Sequence, residues 1–241
     1  MKTLLFSRSL VVMAAVIACA VCVSTVRAEP EAAPDAKPTK AKRTLGIVLY
    51  PAFELLDVYG PAEVFGNVPN GLKVVMVAQK AGLVASAQGP QVHADFSFED
   101  CPQLDLILVP GGMGTLAEVK NPAMLDWLRA RSKDAEIVMS VCSGSAILAE
   151  AGLLDGRKAT SNKRYFQVAV DHGPKVDWIE KARWVDDGDR VTSSGVSAGI
   201  DMSLAVVARL YGNKLAETIA EWTEYQWHRD AATDPFFRAK P

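Results

Sequence analysis

The sequence predicts an α/β fold: a doubly wound, mostly parallel sheet flanked by helices, as in a flavodoxin-like sandwich. Three observations predict it: short continuous apolar runs, amphipathic stretches between them, and turn-forming residues that close the runs. Strands of a parallel sheet are covered on both faces, so they appear as unbroken apolar runs that alternate with helices. With 241 residues, 49% of them hydrophobic and 22% charged, the chain is long and apolar enough for one globular domain.

Four apolar runs are predicted to form parallel strands of this sheet, at residues 45–49, 73–78, 105–109 and 137–141. Pro122 and apolar side chains at helical spacing predict a helix over residues 122–133. Further helices are predicted over residues 199–211 and 213–228, and a hairpin over residues 91–98. Ligands of open parallel sheets bind beyond the carboxyl ends of the strands, so we expect the functional site there.

The first 28 residues are predicted to be a secretory signal peptide. A positively charged start and an apolar run over residues 10–23 are followed by Val26 and Ala28, the small residues that precede a cleavage site. An uncleaved anchor is one alternative, and the segment Val16–Cys19, which resembles a lipobox, offers a lipoprotein as another. In each case we expect the folded part outside the cytoplasm, in a bacterial periplasm, with membrane contact only in the anchored forms.

Residues 29–43 are rich in Ala, Pro, Lys and Glu and lack hydrophobic periodicity, so they are predicted to be a flexible linker. The folded domain is predicted over residues 44–241. A net charge of −2 and a pI near 6.0 provide no basic field for a polyanion. We therefore expect a small-molecule substrate and no nucleic acid.

Cys142 is the predicted reactive residue. The β-branched run that ends at Val141 passes directly into a helix-forming sequence, so Cys142 must occupy the turn itself. Free N–H groups at the start of the next helix favour a thiolate, and Gly144 leaves room for the close backbone approach of a nucleophile elbow. We expect a thiolate nucleophile; an inert buried cysteine at a strand end is the alternative.

Several motifs in order resemble the ThiJ/PfpI superfamily, within the class I glutamine amidotransferase-like fold. They are Leu56–Phe65, Val109–Gly112, Val141–Ser145, Ala151–Gly156 and Thr192–Asp201. The resemblance covers nearly all of residues 44–237 and is nearest to the isonitrile hydratase-like branch and to the ligand domains of certain AraC-type regulators. It implies a cysteine-dependent enzyme acting on a small electrophilic substrate, and a homodimer. Because no helix-turn-helix pattern follows Phe237 and export is expected, the regulator is disfavoured.

The same resemblance implies that Asp57 lies close to the cysteine sulfur. A carboxylate there would repel a thiolate, so we expect the acid to be protonated when the thiol is ionised. It would then donate a hydrogen bond to the sulfur or relay a proton to the reacting carbon or nitrogen. Capping a helix that begins near Val58 is the alternative use of Asp57. Glu63, beyond Pro61, is expected to be a buried structural carboxylate.

Gly111 and Gly112 follow the third predicted strand. Their backbone N–H groups, with that of Ser143, are candidates for an oxyanion hole, although a simple turn explains the same glycines. The hydroxyl of Ser143 is a further candidate catalytic group, as a donor to the reacting atoms. Capping of the following helix is its alternative role.

The positions of the three histidines limit the reactions that Cys142 can be expected to catalyse. None of His93, His172 and His228 adjoins Cys142, so we expect surface positions for them, whereas glutaminases and proteases of this fold require a Cys–His pair. The chain also departs from the isonitrile hydratase-like branch at Thr160–Lys163, where those members tend to carry histidine and tryptophan. Asn162 at this place argues against an isonitrile substrate.

Cys101 is expected to lie at the opposite end of the sheet from Cys142, which excludes a disulfide and leaves Cys101 inert. No His and Cys spacing suggests a metal, so neither a metal nor a cofactor is expected. Three function classes stay open. They are a cysteine-dependent lyase or hydrolase, a redox sensor oxidised at Cys142, and a non-catalytic ligand-binding domain. The first class includes an isonitrile hydratase-like hydro-lyase and a glyoxalase or deglycase acting on reactive carbonyls.

Overall fold

A seven-stranded sheet flanked by helices forms the centre of the protein in a computed structural model that describes residues 43–239. The strands are β1 Arg43–Leu49, β2 Leu72–Ala78, β3 Gly82–Ala85, β4 Gln91–Ala94, β5 Phe96–Ser97, β6 Leu106–Val109, β7 Ile137–Ser140, β8 Lys158–Ala159, β9 Asp177–Trp178, β10 Trp184–Asp187 and β11 Arg190–Ser193. The helices are α1 Leu55–Gly66, α2 Thr115–Glu118, α3 Pro122–Arg131, α4 Gly144–Glu150, α5 Phe166–His172, α6 Ala198–Tyr211 and α7 Asn213–Trp222.

The strand order of the main sheet is β10-β11-β7-β6-β1-β2-β5. Each neighbouring pair is parallel except β10 and β11, which pair antiparallel at one edge. This confirms the predicted doubly wound, mostly parallel sheet. Because β1 has β2 on one side and β6 on the other, the strand order reverses beside β1 and opens a crevice at the carboxyl ends of these strands.

The core of the sheet consists of its most apolar strands. All four residues of β6 are 0% exposed, as are Ile137, Val138 and Met139 of β7. Burial of each such side chain stabilises the fold by about 1.5–3 kcal/mol relative to exposure. These strands are therefore rigid supports for the loops that leave their carboxyl ends.

The four predicted strands are confirmed, with ends that differ by at most two residues. The helix predicted over residues 213–228 is too long, since α7 ends at Trp222. Glu224 adopts a φ of +49°, and the N–H of Tyr225 bonds back to the Ala220 carbonyl at 2.8 Å, which closes the helix. The N–H of His228 instead bonds to the Asp201 carboxylate at 2.8 Å, so tertiary contacts decide this boundary.

The hairpin predicted over residues 91–98 is wrong in its pairing. β4 pairs antiparallel with the preceding β3, whereas β5 joins the main sheet beside β2. The strands β10 and β11 were not predicted, because an edge pair that contains Asp186, Asp187 and Arg190 lacks a continuous apolar run.

No helix within residues 43–239 is long and apolar enough to cross a membrane. The predicted signal peptide and nearly all of the predicted linker lie outside the described residues. β1 begins at Arg43, the last residue assigned to that linker.

Candidate active site

Three strand ends bring the predicted site residues together. Asp57 lies on α1, which follows β1, while Gly111 follows β6 and Cys142 follows β7. The N–H of Gly111 donates to Asp57 Oδ2 at 2.8 Å, and the Gly111 carbonyl accepts the N–H of Glu54 at 2.8 Å. The loops after β1 and β6 are therefore bonded to each other directly beside the cysteine.

Cys142 forms the sharp turn between β7 and α4, as predicted. Its φ is +58°, a left-handed conformation that a residue with a side chain rarely adopts. The Cys142 N–H donates to the Ser194 carbonyl at 3.0 Å, and its carbonyl accepts the hydroxyls of Ser145 at 3.2 Å and Ser161 at 3.1 Å. Strain of about 1–3 kcal/mol at such a residue persists only where surrounding contacts hold it.

Gly144 is the residue that lets α4 approach β6. A Cβ at this position would lie 2.3 Å from the Val109 carbonyl oxygen and 2.6 Å from that of Pro110. No side chain is tolerated at that separation, because both neighbours are backbone atoms. The small residue expected at the elbow is therefore required by backbone packing.

Cys142 is only 6% exposed, and its sulfur accepts a hydrogen bond from Asn162 Nδ2 at 3.1 Å. The other end of this amide is fixed, since Asn162 Oδ1 accepts the N–H groups of Arg164 at 2.9 Å and Tyr165 at 3.1 Å. The amide nitrogen must then face the sulfur. The sequence showed that Asn162 departs from the pattern of the isonitrile hydratase-like branch, but it did not predict this contact with the sulfur.

The pKa values of both groups of the candidate pair are raised, which favours their protonated forms in the resting site. Burial, reinforced by the neighbouring Asp57, raises the pKa of the Cys142 thiol, and the Ser143 N–H and Asn162 amide only oppose that shift. Burial likewise raises the pKa of Asp57 well above its ordinary range. The expectation of a resting thiolate is wrong, because removal of the sulfur from water outweighs its two hydrogen-bond donors. The raised pKa of Asp57 favours its protonated form beside a thiol that is itself protonated, whereas the sequence predicts a protonated acid beside an ionised thiol.

Asp57 is fully buried, and its Oδ1 has no hydrogen-bond partner. The alternative role as a helix cap is excluded, since α1 begins at Leu55 and the Leu55 N–H donates to Gln88 Oε1 at 3.0 Å. A buried polar atom left without a partner is costly and rare in folded proteins. Because Oδ2 accepts from Gly111, Oδ1 is the oxygen that carries the proton of a neutral Asp57, and the Cys142 thiol is the side chain with which this carboxyl group interacts.

Two of the three predicted oxyanion donors, the N–H groups of Gly111 and Gly112, are bonded within the protein, and the third, the Ser143 N–H, lies at the Cys142 sulfur. The Gly111 N–H bonds to Asp57, and the Gly112 N–H donates to Ser143 Oγ at 3.1 Å. Neither N–H is free for a substrate oxygen in this structure. Ser143 does not cap α4 through its side chain; its hydroxyl is bonded to the turn after β6 instead.

A small cavity of about 170 Å³ opens above Cys142 and Ser143. Its remaining walls are Glu54, Gly112, Met113, Thr115, Leu116, Asn162, Tyr165, Val168 and Val196. Within the described part of the chain, Glu54 is the one formally charged side chain that lines it. The cavity therefore suits a small, neutral and largely apolar molecule.

The other residues considered lie away from this cavity. His93 and His228 are exposed, and His172 is bonded to Glu150 at 2.6 Å. Glu63 is exposed rather than buried, because it faces outward on α1. Both described cysteines are free thiols. No cluster of metal-ligating side chains occurs among residues 43–239.

Fold and site together define a class of protein. It is a doubly wound α/β protein with a cysteine at a strand-to-helix elbow and a carboxylic acid that accepts a hydrogen bond from the turn after the neighbouring strand. The chain belongs to the DJ-1/PfpI family, whose model matches residues 43–209. It is 35% identical over 198 residues to an isonitrile hydratase from Pseudomonas putida, covering 82% of each chain.

A solved ThiJ/PfpI family protein from Pseudomonas syringae is 33% identical, with a TM-score of 0.73 and coverage of 90% of this chain and 87% of that one. The HTH-type transcriptional regulator CdhR from Pseudomonas aeruginosa is 32% identical over 146 residues, but this match spans only 43% of the regulator. The family thus contains both enzymes and regulators.

Proposed function

We propose that this protein is a cysteine-dependent enzyme that adds water to a small neutral electrophile, in the manner of an isonitrile hydratase. The observation that carries the proposal is the buried Cys142 on the wall of a small apolar cavity, with the fully buried Asp57 interacting with it from behind that wall. An isonitrile needs a proton and a nucleophile at the same carbon, and this pair holds both. The likeness to the isonitrile hydratase over 82% of each chain supports the same chemistry.

The reaction we propose has two balanced stages. Cys142 sulfur forms a bond to the terminal carbon of the isonitrile, and that carbon gains the proton that Asp57 relays, giving a thioimidate. Water then adds to the same carbon, the C–S bond breaks, the thiol is regenerated and an N-substituted formamide leaves. The sum is one isonitrile and one water converted to one formamide, without an oxidant or a metal.

Asn162 has a specific place in this proposal. The motif departure at this position argued against an isonitrile, but an amide N–H at 3.1 Å stabilises the sulfur whenever it becomes negative. Asn162 therefore donates a hydrogen bond to the sulfur, although the sequence pattern indicated only that the histidine of the isonitrile hydratase-like branch is absent here. For this reason we propose an isonitrile as the substrate.

The test is a panel of alkyl isonitriles, 2-oxoaldehydes and glycated amines, assayed with the wild type and with Cys142→Ala and Asp57→Asn. Formamide production that both substitutions abolish supports the proposal. Turnover of 2-oxoaldehydes or glycated amines instead would make the protein a glyoxalase or deglycase. Inert compounds with a peroxide-dependent mass gain at Cys142 would indicate a redox sensor, and ligand binding unaffected by Cys142→Ser would indicate a binding domain.

We further propose that the enzyme is exported and works as a homodimer in the periplasm. The N-terminal pattern supports cleavage after Ala28, and the resemblance to the superfamily supports the dimer. Mass spectrometry of the protein from its native host should give a mature chain that begins at Glu29; an intact or a lipid-modified N-terminus would replace cleavage with one of the anchored forms. Light scattering should give twice the mass of the mature chain, and a monomer would contradict the dimer.

A further inference from the structure

A chain of three hydroxyl groups runs beneath the cavity and ends at Ser143. Tyr50 Oη lies 2.6 Å from the Pro110 carbonyl oxygen and 3.2 Å from Thr115 Oγ1. Thr115 Oγ1 in turn lies 2.9 Å from Ser143 Oγ. Tyr50 is 2% exposed, Thr115 1% and Ser143 7%, so bulk water does not compete for these bonds.

The direction of each hydrogen bond follows from counting hydrogens. A carbonyl oxygen only accepts, so the single hydroxyl hydrogen of Tyr50 points to Pro110. Thr115 must then donate to Tyr50, and Ser143 must donate to Thr115. Burial raises the pKa of Tyr50 well above its ordinary range, so this hydroxyl keeps its hydrogen and anchors the chain.

Ser143 therefore has no hydrogen left for the cavity. One lone pair of Ser143 Oγ accepts the Gly112 N–H at 3.1 Å, and the alternative acceptor for its hydrogen, the Gly112 carbonyl, lies farther away at 3.5 Å than Thr115. The second lone pair is the position that a molecule in the cavity can reach. Ser143 thus presents an acceptor to the cavity, whereas the sequence suggested a donor.

We propose that Tyr50 and Thr115 are positioning residues that hold Ser143 as a hydrogen-bond acceptor for the water that hydrolyses the thioimidate on Cys142. This inference rests on the proposed function. Water donates one O–H to Ser143 while its oxygen bonds to the thioimidate carbon. The hydrogen-bonded proton stays with the oxygen until the C–S bond breaks, and it then passes to the sulfur and regenerates the Cys142 thiol. The substrate nitrogen gains the other proton, and the formamide leaves.

The direction of the chain is tested without any turnover by neutron diffraction of deuterated crystals of the wild type. We expect the Ser143 deuteron between Ser143 Oγ and Thr115 Oγ1. A deuteron aimed into the cavity or at the Gly112 carbonyl would overturn the assignment, whether or not the protein hydrates isonitriles.

The positioning role is tested with Thr115→Val, which keeps the side-chain shape but removes the acceptor, and with Thr115→Ser, which restores it. We expect Thr115→Val to slow the hydrolysis stage about tenfold, the effect of one hydrogen bond, and to accumulate the thioimidate as a mass gain on Cys142. Thr115→Ser should act within about twofold of the wild type by the same reasoning. A merely structural role would lower activity without accumulating the adduct.

The outcomes separate the two proposals. If the wild type hydrates isonitriles and Thr115→Val does so equally fast without an adduct, the positioning role is wrong and the function stands. If the wild type hydrates none, the function fails and the hydrolytic role of Ser143 fails with it, while the neutron map still decides which way its hydroxyl points.

Discussion

The two described cysteines, Cys101 and Cys142, are equally buried, each 6% exposed, yet their surroundings are opposite. Cys101 Sγ lies 3.4 Å from the Pro102 carbonyl, to which it donates as an ordinary thiol. Cys142 Sγ instead accepts from Asn162 and lies on a cavity, on a backbone held in a left-handed turn. Burial raises the pKa of both thiols. The donors and the cavity around the sulfur, rather than its exposure, distinguish Cys142 from Cys101.

The largest contrast should come from removing each thiol in turn. We expect Cys142→Ala to lower turnover by about a thousandfold or more, because the nucleophile is lost, and Cys101→Ala to leave it within about twofold. Initial rates of formamide production measure both. Equal losses in the two variants would mean that the elbow confers no special chemistry.

The next effect isolates the proton on Asp57. We expect Asp57→Asn to lower turnover by about 10²–10³-fold, the usual contribution of general acid catalysis. The same change leaves a neutral side chain of similar shape beside the sulfur, so alkylation of Cys142 by iodoacetamide at neutral pH should change little. Loss of turnover without loss of thiol reactivity would then be due to the missing proton.

The dependence of turnover on pH tests whether Asp57 acts in its protonated form. Since the pKa of Asp57 is raised, wild-type turnover should decline as the pH rises through that raised value, while Asp57→Asn lacks this dependence. Glu54→Gln is the matched control, because Glu54 also raises the pKa of both groups but lines the cavity without contacting Gly111 through its side chain. If Glu54→Gln abolished turnover as completely, the acid would be assigned to the wrong residue.

The turn backbone itself is tested by Gly144→Ala. A Cβ would meet two carbonyl oxygens at 2.3 and 2.6 Å, so we expect a loss of about 1–3 kcal/mol in the free energy of unfolding. Gly66→Ala is the control, since a Cβ there meets nothing within 4 Å at the end of α1. Urea denaturation measures both, and equal stabilities would show that the elbow tolerates a side chain.

The smallest effect concerns the donor on the sulfur. Asn162→Asp retains Oδ1 as the acceptor for Arg164 and Tyr165 but replaces the amide donor with an oxygen. The pKa of Cys142 should rise, and alkylation at fixed pH should slow about tenfold, the effect of one charge-assisted bond. Alkylation at the wild-type rate would show that Asn162 only shapes the loop.

Much of the fold followed from local pattern. The central strands are continuous apolar runs because both faces of the sheet are covered. Such a run can be recognised from consecutive residues alone, as in Leu106–Val109. The helix end and the strand pairing that were predicted wrongly depend on hydrogen bonds to residues outside the segment itself. The segment after Trp222 leaves the helix because Asp201 accepts the His228 N–H. Strand β4 pairs with the preceding strand β3 and not with the following strand β5. Neither partner is visible from the neighbouring sequence.

The sequence by itself determined that Cys142 sits on a strand-to-helix turn, because a β-branched run, a cysteine, two small residues and a helix former leave no other place for it. Only the tertiary structure decided its protonation and the direction of Ser143. The pKa of a thiol depends on burial, on Asp57 from another strand end and on the Asn162 amide. The role of a hydroxyl depends on where its single hydrogen points, which Thr115 and Tyr50 decide across the fold.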